Sequence, residues 1–137
     1  IQTALLMATM SGVEVNLMFP CKPDHPFVYW ATLSYVGELI MAGANCYTYD
    51  NGFLHAKGLS IDGKACCYGT ANMDIRSFEL NFEVNAMIFD QNIAGEMERI
   101  FREDLKCCTR ITKEMYKSRS VWIRFKEQIS RLLSPVL

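Results

Sequence analysis

The sequence predicts an α/β fold in which helices cover a layered β-sheet. Two observations carry this prediction: short runs bounded by turn residues are typical of strands, and longer stretches have apolar residues at helical spacing. At 137 residues, with half of them hydrophobic, the chain is long enough to bury a core. We expect residues 1–137 to form a single domain.

The N-terminal residues predict a helix followed by a strand. Residues 1–10 are mostly apolar and indicate a helix, with Gly12 in position to end it as a C-cap. Apolar and polar side chains then alternate over residues 13–17, which is the pattern of a half-buried strand.

A second helix and a second strand follow a loop. The loop covers Pro20–Pro26 and is rich in turn residues, and Asp24 is a suitable N-cap for the helix that follows. That helix should run from about Phe27 to about Met41 and end near Gly43. Cys46–Tyr49 is the second predicted strand.

Turn signals divide the middle of the chain into further strands. Asp50-Asn51-Gly52 predicts a turn, so Phe53–Ile61 should be a third strand that pairs back on the second. Asp62-Gly63 predicts the next turn, leading to a strand over Ala65–Gly69. Phe82–Phe89 is a further predicted strand.

Two later segments have apolar residues on one face of a helix, and we expect both faces to pack on the sheet. The first face consists of Ile93, Met97, Ile100, Phe101 and Leu105. The second consists of Trp122, Phe125, Ile129, Leu132 and Leu133, in a helix that stops near Pro135.

Composition restricts the classes of partner. With 14 basic and 15 acidic residues, the net charge is −1, so no overall field attracts nucleic acid or anionic lipid, and any basic surface must be local. No apolar run approaches the roughly 20 residues of a membrane-spanning helix. None of the six cysteines lies in a Cys-x-x-Cys pair or near a histidine at ligand spacing. This predicts reduced, mostly buried thiols and no zinc site.

The residues with the most chemical information lie between positions 55 and 72. His55 and Lys57 are two apart on a predicted strand, so their side chains point to the same side. An imidazole beside a fixed ammonium suits reaction at a phosphate ester, because the imidazole attacks or transfers a proton while the ammonium holds the phosphoryl oxygens. The Thr70 hydroxyl and the Asn72 amide can donate hydrogen bonds to the same anion. Asp62 has a turn role or a catalytic role, and we favour the turn role.

The spacing of these residues resembles the signature of the phospholipase D superfamily, His-x-Lys-(x4)-Asp-(x6)-Gly-Ser/Thr-x-Asn. Gly58 departs from the Thr or Ser expected after the lysine. Longer segments resemble the bacterial cardiolipin synthase family, and the resemblance covers nearly the whole chain. It implies a phospholipase D-like layered sheet flanked by helices, with the element order of the C-terminal half of a two-motif architecture. The segments are Lys22–His25, Tyr29-Trp30, Phe53–Lys57, Gly69–Phe78, Leu80–Asn85 and Ser130–Pro135.

The resemblance also implies roles for individual residues. Asp62 would support the site rather than react, and Thr70 and Asn72 would contact the phosphoryl group. Glu83 matches the acidic residue that orients the catalytic imidazole; an exposed strand glutamate is the alternative. Arg76, Ser77 and Asn81 would shape the pocket or bind the lipid headgroup. For Arg76, a structural salt bridge is the alternative.

The reaction implied by the resemblance uses two His-x-Lys motifs and neither a metal nor another cofactor. One histidine becomes a phosphohistidine and the other protonates the leaving alcohol. One phosphatidylglycerol thereby loses glycerol and a second attacks, giving cardiolipin at the cytoplasmic face of the cell membrane. Because the chain starts at Ile1 and holds one motif, we expect a fragment that pairs with the N-terminal half of its enzyme or with a second copy. His55 is assigned as the general acid/base, with the nucleophile role as the close alternative.

Other interpretations remain open from the sequence. A phospholipase or nuclease of the same superfamily would share the motif, although a nuclease should have a basic surface. A non-catalytic module is the second alternative, because Met115–Leu137 is compatible with a basic amphipathic helix on a lipid surface. His25 is a polar loop residue or a contact at the pocket mouth. Tyr29 and Trp30 suit a lipid interface, and core packing is an equal alternative for Trp30.

Overall fold

The structure is a computed structural model that describes residues 1–21 and 26–133. The chain divides into two compact units, and each has its own three-stranded sheet. We call Ile1–Phe53 with Cys108–Leu137 the helical unit, and Leu54–Cys107 the motif unit, because the latter contains His55 and Lys57. The predicted α/β class is confirmed.

Helices and strands are interspersed along the chain. In order, they are α1 (Gln2–Met10), β1 (Asn16–Pro20), α2 (Pro26–Ala42), β2 (Asn45–Tyr49), β3 (Gly58–Ile61), β4 (Ala65–Gly69), α3 (Ile75–Glu79), β5 (Asn85–Ile88), α4 (Gln91–Asp104), a 3-10 turn (Leu105–Cys107), β6 (Cys108–Ile111), α5 (Lys113–Lys117) and α6 (Val121–Leu133).

The helical unit is built around α2, which supplies most of its core. In its sheet β2 is central, parallel to β1 and antiparallel to β6. Glycines end its first two helices as predicted, since Gly12 and Gly43 both have positive φ and bring the next N–H back onto the helix, with Ala44 N–H 2.9 Å from the Leu39 carbonyl oxygen. The buried residues of the core cluster are Phe19, Leu33, Val36, Leu39, Ile40, Ala44 and Cys46.

The motif unit is an antiparallel β3-β4-β5 sheet with α3 and α4. Its first hairpin turns at Asp62 and Gly63, which both have positive φ, and Lys64 N–H donates to the Ile61 carbonyl oxygen at 2.9 Å. Positive φ at both central residues is the requirement of the tight turn that matches strand twist, so the predicted Asp-Gly turn is confirmed.

Strand pairing was the main error of the sequence prediction. The predicted strand over Phe53–Ile61 is regular only at its end, as β3, and it pairs with β4 rather than with β2. Both edges of β2 are already occupied by β1 and β6. The strands predicted over residues 13–17 and Phe82–Phe89 are displaced or shorter, as β1 and β5, whereas Ala65–Gly69 is confirmed as β4. Asp24, the predicted N-cap of the second helix, and Pro135, the predicted stop of the last helix, lie outside the described residues.

The last predicted helix is present as α6 but has the opposite orientation. Trp122, Phe125 and Leu132 are exposed, whereas Glu127 and Ser130, on the other side of α6, are each only 1% exposed. The expectation that this apolar stripe packs on the sheet is therefore wrong. Within the described ranges, no helix has the length and apolar composition needed to span a bilayer.

The six cysteines are free thiols. Cys46 and Cys66 are buried, but Cys107 is exposed and the other three are partly exposed, so the expectation of mostly buried thiols is wrong. Burial raises the pKa of the Cys46 thiol to about 11, which keeps it protonated at neutral pH.

Two helical glycines give a matched test of packing. A Cβ at Gly37 in α2 would lie 1.7 Å from the Tyr116 hydroxyl oxygen, whereas a Cβ at Gly95 in α4 meets nothing within 4 Å. We expect Gly37→Ala to destabilise the protein by about 1–3 kcal/mol through overpacking. Gly95→Ala should stabilise it by about 0.5–1 kcal/mol through helix propensity. Thermal unfolding of both variants measures the difference, and equal effects would contradict the packing of Tyr116 on α2.

Candidate active site

His55 and Lys57 lie in the segment that leads into β3. The segment joins the sheet at Lys57, whose carbonyl oxygen accepts a hydrogen bond from Gly69 N–H at 3.2 Å. Lys57 Nζ donates to the backbone carbonyl oxygen of His55 at 2.8 Å. The imidazole residue is exposed and the lysine is partly buried. The two residues are thus held together beside the end of β4.

Gly69 allows β5 to approach the end of β4 unusually closely. A Cβ at this position would lie 2.1 Å from the Val84 carbonyl oxygen and 2.6 Å from the Asn85 Cα. Both obstacles are backbone atoms, which cannot move without separating the strands. A residue without a side chain is therefore required at the Gly position of the motif.

The next residue, Thr70, is bound to the segment before β5. Its N–H donates to the Val84 carbonyl oxygen at 3.0 Å, and Val84 N–H donates to the Thr70 Oγ1 at 2.9 Å. This reciprocal pair extends the β4–β5 ladder past the last strand residues. It places the Thr70 side chain next to Glu83.

Glu83 is the centre of the polar contacts at this end of the sheet. Hydrogen bonds from the Thr70 hydroxyl and from Asn81, whose Nδ2 lies 3.1 Å from Glu83 Oε1, lower the pKa of the Glu83 carboxyl. The positive charge of Lys57 lowers this pKa further, while partial burial and Asp74 oppose the shift. Glu83 is therefore held in its charged form near Lys57.

The loop after Thr70 is fixed by a helix cap. Asp74 caps α3 by accepting a hydrogen bond from Ser77 N–H at 2.7 Å, and the Ser77 hydroxyl accepts one from Asn72 N–H at 3.2 Å. Ser77 is buried, whereas Asn72 and Arg76 are exposed. Helix α3 was not predicted from the sequence, although Asp74 three residues before Ser77 is the pattern of an N-cap.

Asp62 lies at the other end of the hairpin from Lys57 and Gly69. The four residues of β3 separate it from Lys57, which is a distance of roughly 16 Å over five residue steps at the usual rise of a strand. Its exposed position and its positive φ of 51° in the turn agree with a structural role.

The departure from the family pattern at Gly58 has a local explanation in Tyr68. These two residues are directly opposite each other in the β3–β4 pair. A Cβ at Gly58 would lie 2.1 Å from a carbon of the Tyr68 ring, so the ring already fills the space that a Thr or Ser side chain would need. Nothing in the sequence spacing alone indicates this contact.

The structure therefore brings together some of the predicted site residues and separates others. Lys57, Thr70, Asn81 and Glu83 form one polar cluster with His55 beside it, and Asp62 is remote from it. His25 lies outside the described residues. Among the residues that the structure describes, no group of three His, Cys, Asp or Glu side chains is placed to hold a metal ion.

Comparison with known proteins places the chain among the phospholipase D-like domains. The family described as "Cardiolipin synthase, PLD-like domain" matches residues 1–105, and the chain belongs to this family of enzymes. The resemblance found in the sequence is confirmed.

Three relatives illustrate the similarity. The chain is 55% identical over 137 residues to the cardiolipin synthase of Oceanobacillus iheyensis, covering 100% of this chain and 29% of the relative. It is 57% identical over 134 residues to the major cardiolipin synthase ClsA of Bacillus subtilis, covering 98% and 28%. It is 56% identical over 134 residues to cardiolipin synthase 1 of Staphylococcus epidermidis, covering 98% and 27%. The chain thus spans less than a third of the length of these relatives.

The contacts of Glu83 predict a measurable change in its pKa. Thr70→Val removes a hydrogen bond that favours the carboxylate, so the pKa of Glu83 should rise toward its ordinary value. A carboxyl whose folded pKa is depressed stabilises the protein above its unfolded pKa, and this contribution is lost as the pH falls through the folded pKa. In the variant, the contribution should therefore be smaller, and its loss should be complete at a higher pH.

A carboxyl titration by NMR measures this shift. Thr109→Val is the matched control, because Thr109 donates to Asp50 at 2.5 Å and not to Glu83. An unchanged Glu83 pKa in Thr70→Val would contradict the hydrogen bond.

Proposed function

We propose that this chain supplies one of the two catalytic motifs in a phosphatidyl transfer between two phosphatidylglycerol molecules, which yields cardiolipin and glycerol. The observation that carries the proposal is the polar cluster of Lys57, Thr70, Asn81 and Glu83 beside His55, in a chain of the cardiolipin synthase family.

Lys57 is the proposed phosphate ligand. Its ammonium group has three N–H donors, so the bond to the His55 carbonyl oxygen does not saturate it. The same bond keeps the cation next to the imidazole residue. The Asn72 amide is a proposed further donor from the loop that Ser77 supports, and Arg76 is a proposed headgroup contact. The resulting site would stabilise charge that develops on the phosphoryl oxygens.

The proposed reaction has two displacements at phosphorus. A histidine nitrogen of the second motif forms a bond to phosphorus, the bond to the glycerol oxygen breaks, and His55 gives its proton to the departing glycerol. His55 then takes the proton from a hydroxyl of a second phosphatidylglycerol, whose oxygen displaces the histidine. Glu83, held ionised, would stabilise the protonated imidazole. The two histidines exchange roles in the alternative assignment.

The second motif is proposed to come from the N-terminal half of a longer enzyme or from a second copy of this chain. The relatives are more than three times as long as the matched segment, which supports the first source. The partner surface is the cytoplasmic face of the cell membrane, where the substrate lies. We propose no nucleic-acid partner, since the net charge of −1 provides no basic footprint.

The catalytic roles are tested by substitution with a matched control. We expect His55→Ala to lower cardiolipin formation from phosphatidylglycerol by roughly 10²–10⁴-fold, as for loss of a general acid/base, and Lys57→Ala by roughly 10²–10³-fold. Lys64→Ala removes the same charge from the exposed turn at the far end of the hairpin and should leave turnover unchanged.

The measurement is release of cardiolipin and glycerol by the full-length enzyme, with and without chelator. Turnover should be insensitive to chelator. Full activity of His55→Ala would overturn the proposal. Phosphatidate in place of cardiolipin would identify a hydrolase of the same superfamily.

The source of the second motif is tested by the concentration dependence of turnover. If two copies of the 137-residue chain form the site, specific activity should rise with chain concentration and the sedimenting species should be a dimer. A strict monomer with clear turnover would contradict the requirement for two motifs.

A further inference from the structure

Six of the seven large apolar residues of α6 form one continuous exposed surface. At about 100° per residue, these six side chains fall within an arc of about 120°. The seventh, Ile123, lies outside this arc and is partly buried. Trp122 is 74% exposed and Leu132 is 81% exposed. We call this surface the α6 apolar face; its members are Val121, Trp122, Phe125, Ile129, Leu132 and Leu133.

Ion pairs on the opposite side of α6 fix this orientation. Glu127 is buried with its Oε1 2.9 Å from Arg119 Nη1, and the Arg119 guanidinium stacks 3.1 Å from the centre of the Tyr116 ring. Arg131 pairs with Glu38 of α2. Rotating α6 about its axis to bury the apolar face would separate these charged groups from their partners, which is costly for a buried carboxylate. The apolar face is therefore held outward by the protein itself.

The exposed charged residues of α6 are all positive. Glu127 is the only acidic residue of α6 and it is buried, while Arg124 and Lys126 are exposed on the two flanks of the apolar arc. An apolar stripe flanked by basic residues, with a tryptophan, is the composition of helices that lie on anionic lipid surfaces.

A groove beside the face extends it onto α2. It has a volume of about 250 Å³, and its lining within the described part of the chain is mostly apolar and includes the cation of Lys126. Lys126 Nζ lies 5.5 Å from the centre of the Trp30 ring. The lining residues are Phe27, Trp30, Phe125, Lys126, Ile129 and Ser130.

We propose that the α6 apolar face docks on an anionic phospholipid surface, with the helix lying in the interfacial plane and Lys126 at headgroup phosphates. The α6 helix is 13 residues long, about 20 Å, so it lies on the bilayer and does not cross it. The choice of phosphatidylglycerol as the anionic lipid rests on the proposed function. Docking on lipid does not require catalytic turnover, so an experiment can contradict either the docking or the proposed function without contradicting the other.

Vesicle partition of the 137-residue chain tests the docking. The chain should sediment with vesicles of phosphatidylglycerol and phosphatidylcholine and bind pure phosphatidylcholine vesicles weakly. Phe125→Ser with Leu132→Ser should reduce partition by roughly tenfold or more. The control, Met7→Ser with Met10→Ser, changes two equally exposed apolar residues of α1 and should have little effect.

A charge variant keeps the test independent of the apolar substitutions. Lys126→Glu should weaken binding to the phosphatidylglycerol vesicles by roughly fivefold or more. Lys113→Glu makes the same change on α5, where the side chain is also exposed, and should have little effect. Added salt should weaken wild-type binding and reduce the difference between these variants.

The depth to which α6 enters the bilayer is measured by the fluorescence of Trp122. The Trp30→Phe variant is used because the chain has two tryptophans. Brominated acyl chains should quench its emission. Unquenched emission, or wild-type partition of the apolar variant, would overturn the docking. If that variant instead lowers the mass of an assembly in solution, the face is a protein contact and the proposal is wrong. Normal docking without cardiolipin formation by the full-length enzyme would overturn the proposed function alone.

Discussion

The close approach of β5 to Gly69 is the constraint on which the polar cluster of the motif unit depends. Since backbone atoms of Val84 and Asn85 occupy the space of a side chain, the two strands stay in register to the end of the ladder. Thr70 can then exchange two hydrogen bonds with Val84 and reach Glu83. The Gly of the motif is thus a packing requirement, and the chemistry of Thr70 and Glu83 follows from it.

The helix ends and the hairpin turn were predictable from the sequence, because each of them is determined by one or two neighbouring residues. Gly12 and Gly43 end helices because positive φ costs glycine little, and Asp62-Gly63 makes a hairpin because both residues tolerate positive φ. The pairing of β2 has no local cause: its partners are β1 across α2 and β6 from far along the chain. A turn at Asp50–Gly52 indicates where the chain bends, but not which strand it meets next.

The site residues were predictable from spacing, but their interactions were not. His55 and Lys57 are two apart, so their proximity follows from an extended backbone. The hydrogen bonds from Thr70 and Asn81 to Glu83 depend on how β4 and β5 align, and sequence separation carries no information on that alignment. The same holds for Gly58, where the ring opposite it in the ladder explains the missing side chain.

Helical periodicity identifies a face and leaves open what covers it. In α4 the predicted face is covered only in part, since Met97 and Phe101 are partly buried but Ile93 and Ile100 are exposed. All six residues of the equally periodic α6 apolar face are exposed. The difference lies in Glu127: burial raises its pKa, while Arg119 and Arg124 lower it. A carboxylate in that position is tolerated only with its arginine partner in place. The polar side of α6 therefore packs against the protein. Its apolar side remains exposed, and the surface proposed to cover it, an anionic lipid bilayer, accepts apolar side chains as well as the positive charges beside them.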